Sequence, residues 1–203
     1  MRRGASRDHG SGMLRLIRNQ ERNTLSPSRR AFLRGMAAAV PAAFLLSPVG
    51  KAVASVRVRS LRFHHLHTGE KLSVVYYAGN RYRSDALAAI DHLLRDFRTD
   101  DEHVIDRALL DLIFDVSLKL GRNTRFEVIS AYRSPATNAM LRGTSNKVAM
   151  RSLHMQGRAI DVRVQGLDAV LLRNAATGMK RGGVGYYPSS DFVHLDTGRF
   201  RTW

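Results

Sequence analysis

The chain of 203 residues contains no cysteine. That absence excludes a disulfide framework and any thiolate metal site, so a bound metal must be held by imidazole and carboxylate. Acidic residues are scarce as well: 17 Asp and Glu stand against 33 Lys and Arg, a formal net charge of +16. An excess of this size points to an anionic partner, but it is unevenly spread. Residues 1–54 carry ten Lys and Arg against two acids, and residues 55–203 carry 23 against 15, so each part has a net charge of +8. Half of the excess lies in a quarter of the chain. There is no internal repeat and no low-complexity tract, and the apolar run Gly35 to Leu46, which contains Pro41, is short for a membrane span.

The N-terminal quarter reads as an address rather than as part of a fold. A basic polar stretch precedes that apolar run, and Ala52-Val53-Ala54 then supplies the small-x-small pattern of a cleavage site. The segment "SRRAFLRG", with Arg29 and Arg30 paired, resembles a twin-arginine export signal, and the Ala-rich run suits that route. The alternative is a basic tail for nucleic acid, which does not explain the order of basic region, apolar run and cleavage site. The expectation is a signal over residues 1–54 with cleavage near Ala54, export to the periplasm by the twin-arginine machinery, and no nucleic-acid partner. Residues 55–203 then form one domain, large enough to bury a core.

In that domain "SVRVRSLRFHHLHTGEKLSVVYYAGNRY" alternates and is β-branched and aromatic, which predicts two or three short strands. Apolar residues at helical spacing predict a helix over "SDALAAIDHLLRDFRTDD", counting Leu87, Ile90, Leu94 and Phe97, and another over "IDRALLDLIFDVSLKLG", ending at Gly121. "RFEVISAY" is a strand, "SPATNAMLRG" a helix entered through Ser-Pro, "RAIDVRVQG" a strand and "LDAVLLRNAATGM" a helix. "GGVGYYP" and "DFVHLDTG" are short strands joined by a turn at "SSD". This irregular order predicts an α+β fold, with helices packed on a mainly antiparallel sheet.

The chemistry concentrates in "SLHMQGRAID". Alternation puts Ile160, Val162 and Val164 of the strand on the core face and Ala159, Asp161 and Arg163 on the other. Gly157 permits a tight turn that folds His154 back over the start of the strand. An imidazole and a carboxylate can then meet on one metal, although an unrelated His and Asp would give the same letters. His194 in "DFVHLDTG" offers a third donor. Catalytic zinc is held by three such protein ligands with an open position for water; other divalent metals could use the same donors, but zinc suits the mixture best. The bound ion would activate water as a nucleophile, and Asp191 is the nearest carboxylate to take its proton, provided it lies in the turn before the strand. Arg133, at a strand end before a helix, can hold a substrate carboxylate or an oxyanion, or be an ordinary surface arginine. His64, His65 and His67 cluster on a strand and its turn, where surface histidines are commoner than ligands, and are expected to lie away from the site.

"SAYRSP", "SLHMQGRAID" and "GVGYYPSSDFVHLDTG" resemble, in order, the conserved blocks of the D-alanyl-D-alanine metallopeptidase (M15) superfamily, whose fold is shared with vancomycin-resistance dipeptidases and the hedgehog signalling domain. The chain is most similar to its exported YcbK-like branch (domain of unknown function 882), which includes murein endopeptidases, over roughly Leu61 to Trp203. The Ser-x-His-x-x-Gly-x-Ala-x-Asp block is matched at Ser152, His154, Gly157, Ala159 and Asp161. The resemblance implies zinc on His154, Asp161 and His194, and a substrate contact at Arg133. Better-known members carry Glu-x-x-His where this chain has Asp191 three residues before His194, so the carboxylate here is shorter. The function implied is a zinc peptidase cutting peptide cross-links or stem peptides of peptidoglycan. The other reading is a module that keeps the zinc and binds wall peptides without cutting them.

Overall fold

The structure is a computed structural model and describes residues 58–121, 124–145 and 148–203. The expected export signal lies outside the described residues. The elements are β1 (Arg59–His65), β2 (Lys71–Ala78), β3 (Arg81–Tyr82), α1 (Ser84–Leu93), α2 (Arg107–Leu120), β4 (Phe126–Ser130), α3 (Pro135–Thr144), β5 (Ala159–Val164), α4 (Ala169–Thr177), β6 (Gly183–Tyr187), β7 (Phe192–Asp196) and β8 (Arg201–Thr202). Short 3-10 turns occupy Leu153–Gln156 and Pro188–Ser190.

The strands form one sheet in the order β3-β2-β1-β4-β5-β7-β6-β8. Its pairs are antiparallel except β1 with β4 and β6 with β8. This is the single α+β domain the sequence led one to expect. Helix starts follow local chemistry: the Asp106, Ser134 and Asp168 side chains each accept a hydrogen bond from a free first-turn N–H of α2, α3 and α4. The amphipathic α2 buries Leu109, Leu110, Leu112, Ile113 and Val116 in the core with Leu61, Phe63, Phe126 and Val128 of the sheet.

One helix is shorter than its periodicity suggests. α1 ends at Leu93, and Phe97, counted as its last core position, lies beyond it, stacked on His67 at 3.9 Å. The buried carboxylate of Asp96 accepts from the backbone N–H groups of Arg98 (3.0 Å) and Ser134 (2.8 Å), and Asp100 takes a positive φ of 63°. A buried acceptor satisfied by backbone donors outweighs two further turns of helix.

The register of β5 positions the site. Ile160 and Val162 are fully buried and face Leu195 and Val193 of β7, which are also fully buried. Each such side chain is worth about 1.5–3 kcal/mol on burial, so a one-residue slip, which would expose all four, is prohibited. The same register sets Asp161 directly opposite His194 on the other face of the sheet.

Candidate metal centre

Three side chains converge on that face. Asp161 and His194 are cross-strand neighbours, and His194 Nδ1 lies 2.8 Å from Asp161 Oδ1. His154 arrives from the 3-10 turn before β5. Ser152 caps this turn, and Gly157 closes it in the left-handed region at φ 63°. His154 Nε2 is 3.4 Å from Asp161 Oδ1 and 3.2 Å from His194 Nδ1. Tetrahedral zinc with bonds of about 2.0–2.2 Å sets its ligand atoms about 3.3 Å apart. The triangle of 2.8, 3.2 and 3.4 Å therefore fits one face of such a site. Among the described residues it is the one group of three His, Asp or Glu side chains close enough for a metal ion.

The outward atoms of both rings support the same assignment. His154 Nδ1 lies 2.6 Å from the carbonyl oxygen of Ala131, which can only accept, so this nitrogen carries a proton and Nε2 turns a lone pair inward. The backbone of His154 is held too, its carbonyl accepting from the N–H of Arg133 at 3.2 Å. His194 Nε2 lies 3.0 Å from Asp196 Oδ2, so Nε2 donates outward and Nδ1 faces the centre. Asp196 is fully buried and also accepts from the N–H groups of Gly183 and Gly198 and from the Arg201 guanidinium. It orients the His194 ring and is not one of the three converging donors. Its position two residues after His194, on the same strand face, is the signal in the sequence that marks it.

The electrostatics ask for a cation. Burial acts to raise the Asp161 pKa, but the charges and hydrogen bonds of His154 and His194 outweigh it and hold this carboxyl well below the usual range. Burial acts to lower the His194 pKa, but hydrogen bonds to Asp161 and Asp196 prevail and push it up to about 9. Without a metal the space between the two acids keeps a proton on His194, and with one that proton must leave.

The other sequence candidates separate. Arg133 follows β4 and lines the same cleft, of about 290 Å³, as the three donors. It is partly buried, its Nε has no hydrogen-bond partner, and its closest carboxylate contact, from Nη2 to Asp161 Oδ2, is long at 3.9 Å. Burial draws its pKa below the ordinary guanidinium value, with the Asp161 charge acting against this. Asp191 does not join the group. It sits at φ 49° in the turn before β7, its side chain is 63% exposed, and its carboxylate is 3.8 Å from Arg163 on the next rank of the sheet. It lines a separate depression with Glu127 and Arg163. Position three before His194 puts it across the strand alternation, and the turn does not bring it back. The carboxylates lining the cleft are Asp161 and Asp196. The histidines of β1 and of the turn after it lie elsewhere: His64 is 3.9 Å from Glu127, His65 is buried, and His67 stacks on Phe97.

Comparison with known proteins places the chain in a family. The family model described as peptidoglycan L,D-endopeptidase MepK, an M15 peptidase family, matches residues 53–203. The peptidoglycan L,D-endopeptidase MepK of Escherichia coli K12 is 39% identical over 176 residues, covering 87% of this chain and 97% of that protein. The probable peptidoglycan L,D-endopeptidase MepK of Haemophilus influenzae Rd is 37% identical over 182 residues, covering 89% and 98%.

Proposed function

The chain belongs to the peptidoglycan L,D-endopeptidase family of M15 peptidases, and from that premise we propose that it is an exported zinc peptidase that hydrolyses peptide bonds in peptidoglycan. The observation that carries the reading is the convergence of three lone-pair donors at zinc spacing beside a partly buried, under-partnered arginine. His154, Asp161 and His194 would hold the ion. Zinc there would supply Lewis-acid polarisation of the scissile carbonyl and a water made acidic enough to attack near neutral pH. Arg133 receives the anion. Its free Nε–H and poorly paired guanidinium suit a carboxylate of a wall peptide or the charge that develops on the carbonyl oxygen. Ala131 and Asp196 fix the two imidazoles, so the ligand set is in place before substrate arrives.

The substrate lies outside the cytoplasm, which agrees with residues 1–54 as a twin-arginine signal cleaved near Ala54 and with a periplasmic site of action. The family relatives are named for peptidoglycan. A second reading, a zinc-bearing module that binds wall peptides without cutting them, draws on the place of Asp191, which leaves the cleft without the separate carboxylate that would take a proton from water.

The deciding experiment is digestion of purified, cross-linked wall by the zinc-loaded protein, with products identified by mass. Hydrolysis is expected for the wild type and its loss for His154→Ala. Wall peptides bound but left intact would favour the module.

A further inference from the structure

The cleft has two unlike flanks, and the sheet order sets them. Asp161 on β5 and His194 on β7 stand in the middle. On one side lies β4, whose end leads to Arg133; on the other lie β6 and β8, which bring Tyr187 and Trp203 to the cleft. The donors therefore sit between a cationic side and an aromatic one. Arg201 on the aromatic side is already paired with Asp196 at 2.7 Å, so its charge is compensated.

Trp203 is 50% exposed and yet firmly seated. Its backbone N–H donates to Val184 (3.3 Å) and its carbonyl accepts from Tyr186 (2.9 Å). Its indole N–H donates to the Tyr187 hydroxyl at 2.9 Å, and the Tyr187 ring stacks on Phe192 at 4.6 Å. The indole centroid is 5.3 Å from that of His194. It lies over Gly185, where any Cβ would overlap the ring, so this glycine makes the seat. An indole fixed in advance, half open and next to the donors, offers a rigid apolar surface at little further entropic cost.

We propose that Trp203, seated on Gly185 and braced by Tyr187, is a substrate-contact residue that packs the aliphatic side chain of the amino acid on one side of the scissile bond, while Arg133 receives the anionic group on the other. The proposal rests on the peptidase reading and deepens it. It gives the cleft a direction: substrate crosses the strands with its charged part toward β4 and its aliphatic part toward β8.

Trp203 is the only tryptophan of the chain, so intrinsic fluorescence reports on this residue alone. The probes are phosphinate analogues of a cross-linked wall peptide, which are not hydrolysed. One keeps the aliphatic side chain on the proposed side, and one carries alanine there. The first is expected to shift the emission of the zinc-loaded protein saturably, and the second to bind more weakly with a smaller shift. With the matching cleavable peptides, Trp203→Ala is expected to lower kcat/KM about ten- to a hundredfold on the first and little on the second. Trp203→Phe should restore part of the loss, and zinc affinity should stay within about twofold of wild type, because no ligand contact is removed. Equal losses on both peptides, or a parallel fall in zinc affinity, would overturn the proposal and leave Trp203 as a cover for the metal centre. An unchanged emission in wild type would also overturn it, independently of how the variants fold. If the wild type binds the analogues but cuts no wall peptide, the peptidase reading fails, and the fluorescence still decides the subsite.

Discussion

His194 is held between Asp161 at 2.8 Å and Asp196 at 3.0 Å, with His154 Nε2 at 3.2 Å. The two hydrogen bonds override its burial and raise its pKa to about 9. In the metal-free protein this proton stabilises the fold below the ordinary histidine pKa, and the contribution is lost as pH rises through about 9. Zinc needs the proton gone, so its affinity is expected to fall about tenfold per pH unit below pH 9 from this group alone. Chelator competition across that range checks it, and a flat profile would show that zinc displaces no proton from His194 there. Asp196→Asn removes the charge behind His194 and should weaken zinc binding by about 10–100-fold, measured in the same competition. Asp191→Asn should leave both zinc affinity and wall hydrolysis near wild type, since its carboxylate faces Arg163 outside the cleft. A loss of hydrolysis of about 100-fold or more, the contribution of a positioned acid–base group, would return it to the mechanism. The donor triad was legible because strand alternation and one glycine are local rules. The place of Asp191 beside Arg163 is not legible, because a turn's direction depends on backbone angles that its letters leave open. Asp196 was overlooked because its partners, Gly183, Gly198 and Arg201, are assembled by sheet pairing.

The turn carrying His154 is only four residues long, so it depends on what it is fastened to. Gly157 closes it at φ 63°, and a Cβ there would overlap the carbonyl oxygen of Val104. Its carbonyl accepts from the N–H of Asp106, the residue that caps α2. Gly157→Ala should therefore destabilise the protein by about 1–3 kcal/mol through backbone strain and displacement. Urea unfolding of the metal-free protein measures that cost; no change in midpoint would show that the turn has room to relax. Strands and helices with a strong period were readable at this scale: the Ile160 and Val162 face of β5, the apolar stripe of α2, the Ser134-Pro135 entry to α3. The early end of α1 was not, because it is set by Asp96 capturing the N–H of Ser134, 38 positions away. Neither was β8, whose two residues make sense only as a parallel edge beside β6.

At the scale of the whole molecule we propose that the chain divides by purpose. A basic segment with Arg29 and Arg30 precedes a domain whose chemistry faces one side of its sheet. Exchange of both arginines for lysine is expected to hold the precursor in the cytoplasm, as fractionation would show; normal export of that variant would mean another route. Fold class was legible because helices and strands alternate irregularly around one core, whereas the two flanks of the cleft follow from an order of strands that no local pattern contains. We propose that one ion, held by His154, Asp161 and His194, makes this fold a peptidase. The most direct test is to strip the protein with chelator and follow hydrolysis of cross-linked wall peptide as zinc is returned in fractions of an equivalent. No hydrolysis is expected at zero zinc, then a linear rise and a break at about one equivalent, with no rise in Asp161→Asn. Hydrolysis by the stripped protein, or an undiminished rise in Asp161→Asn, would contradict it.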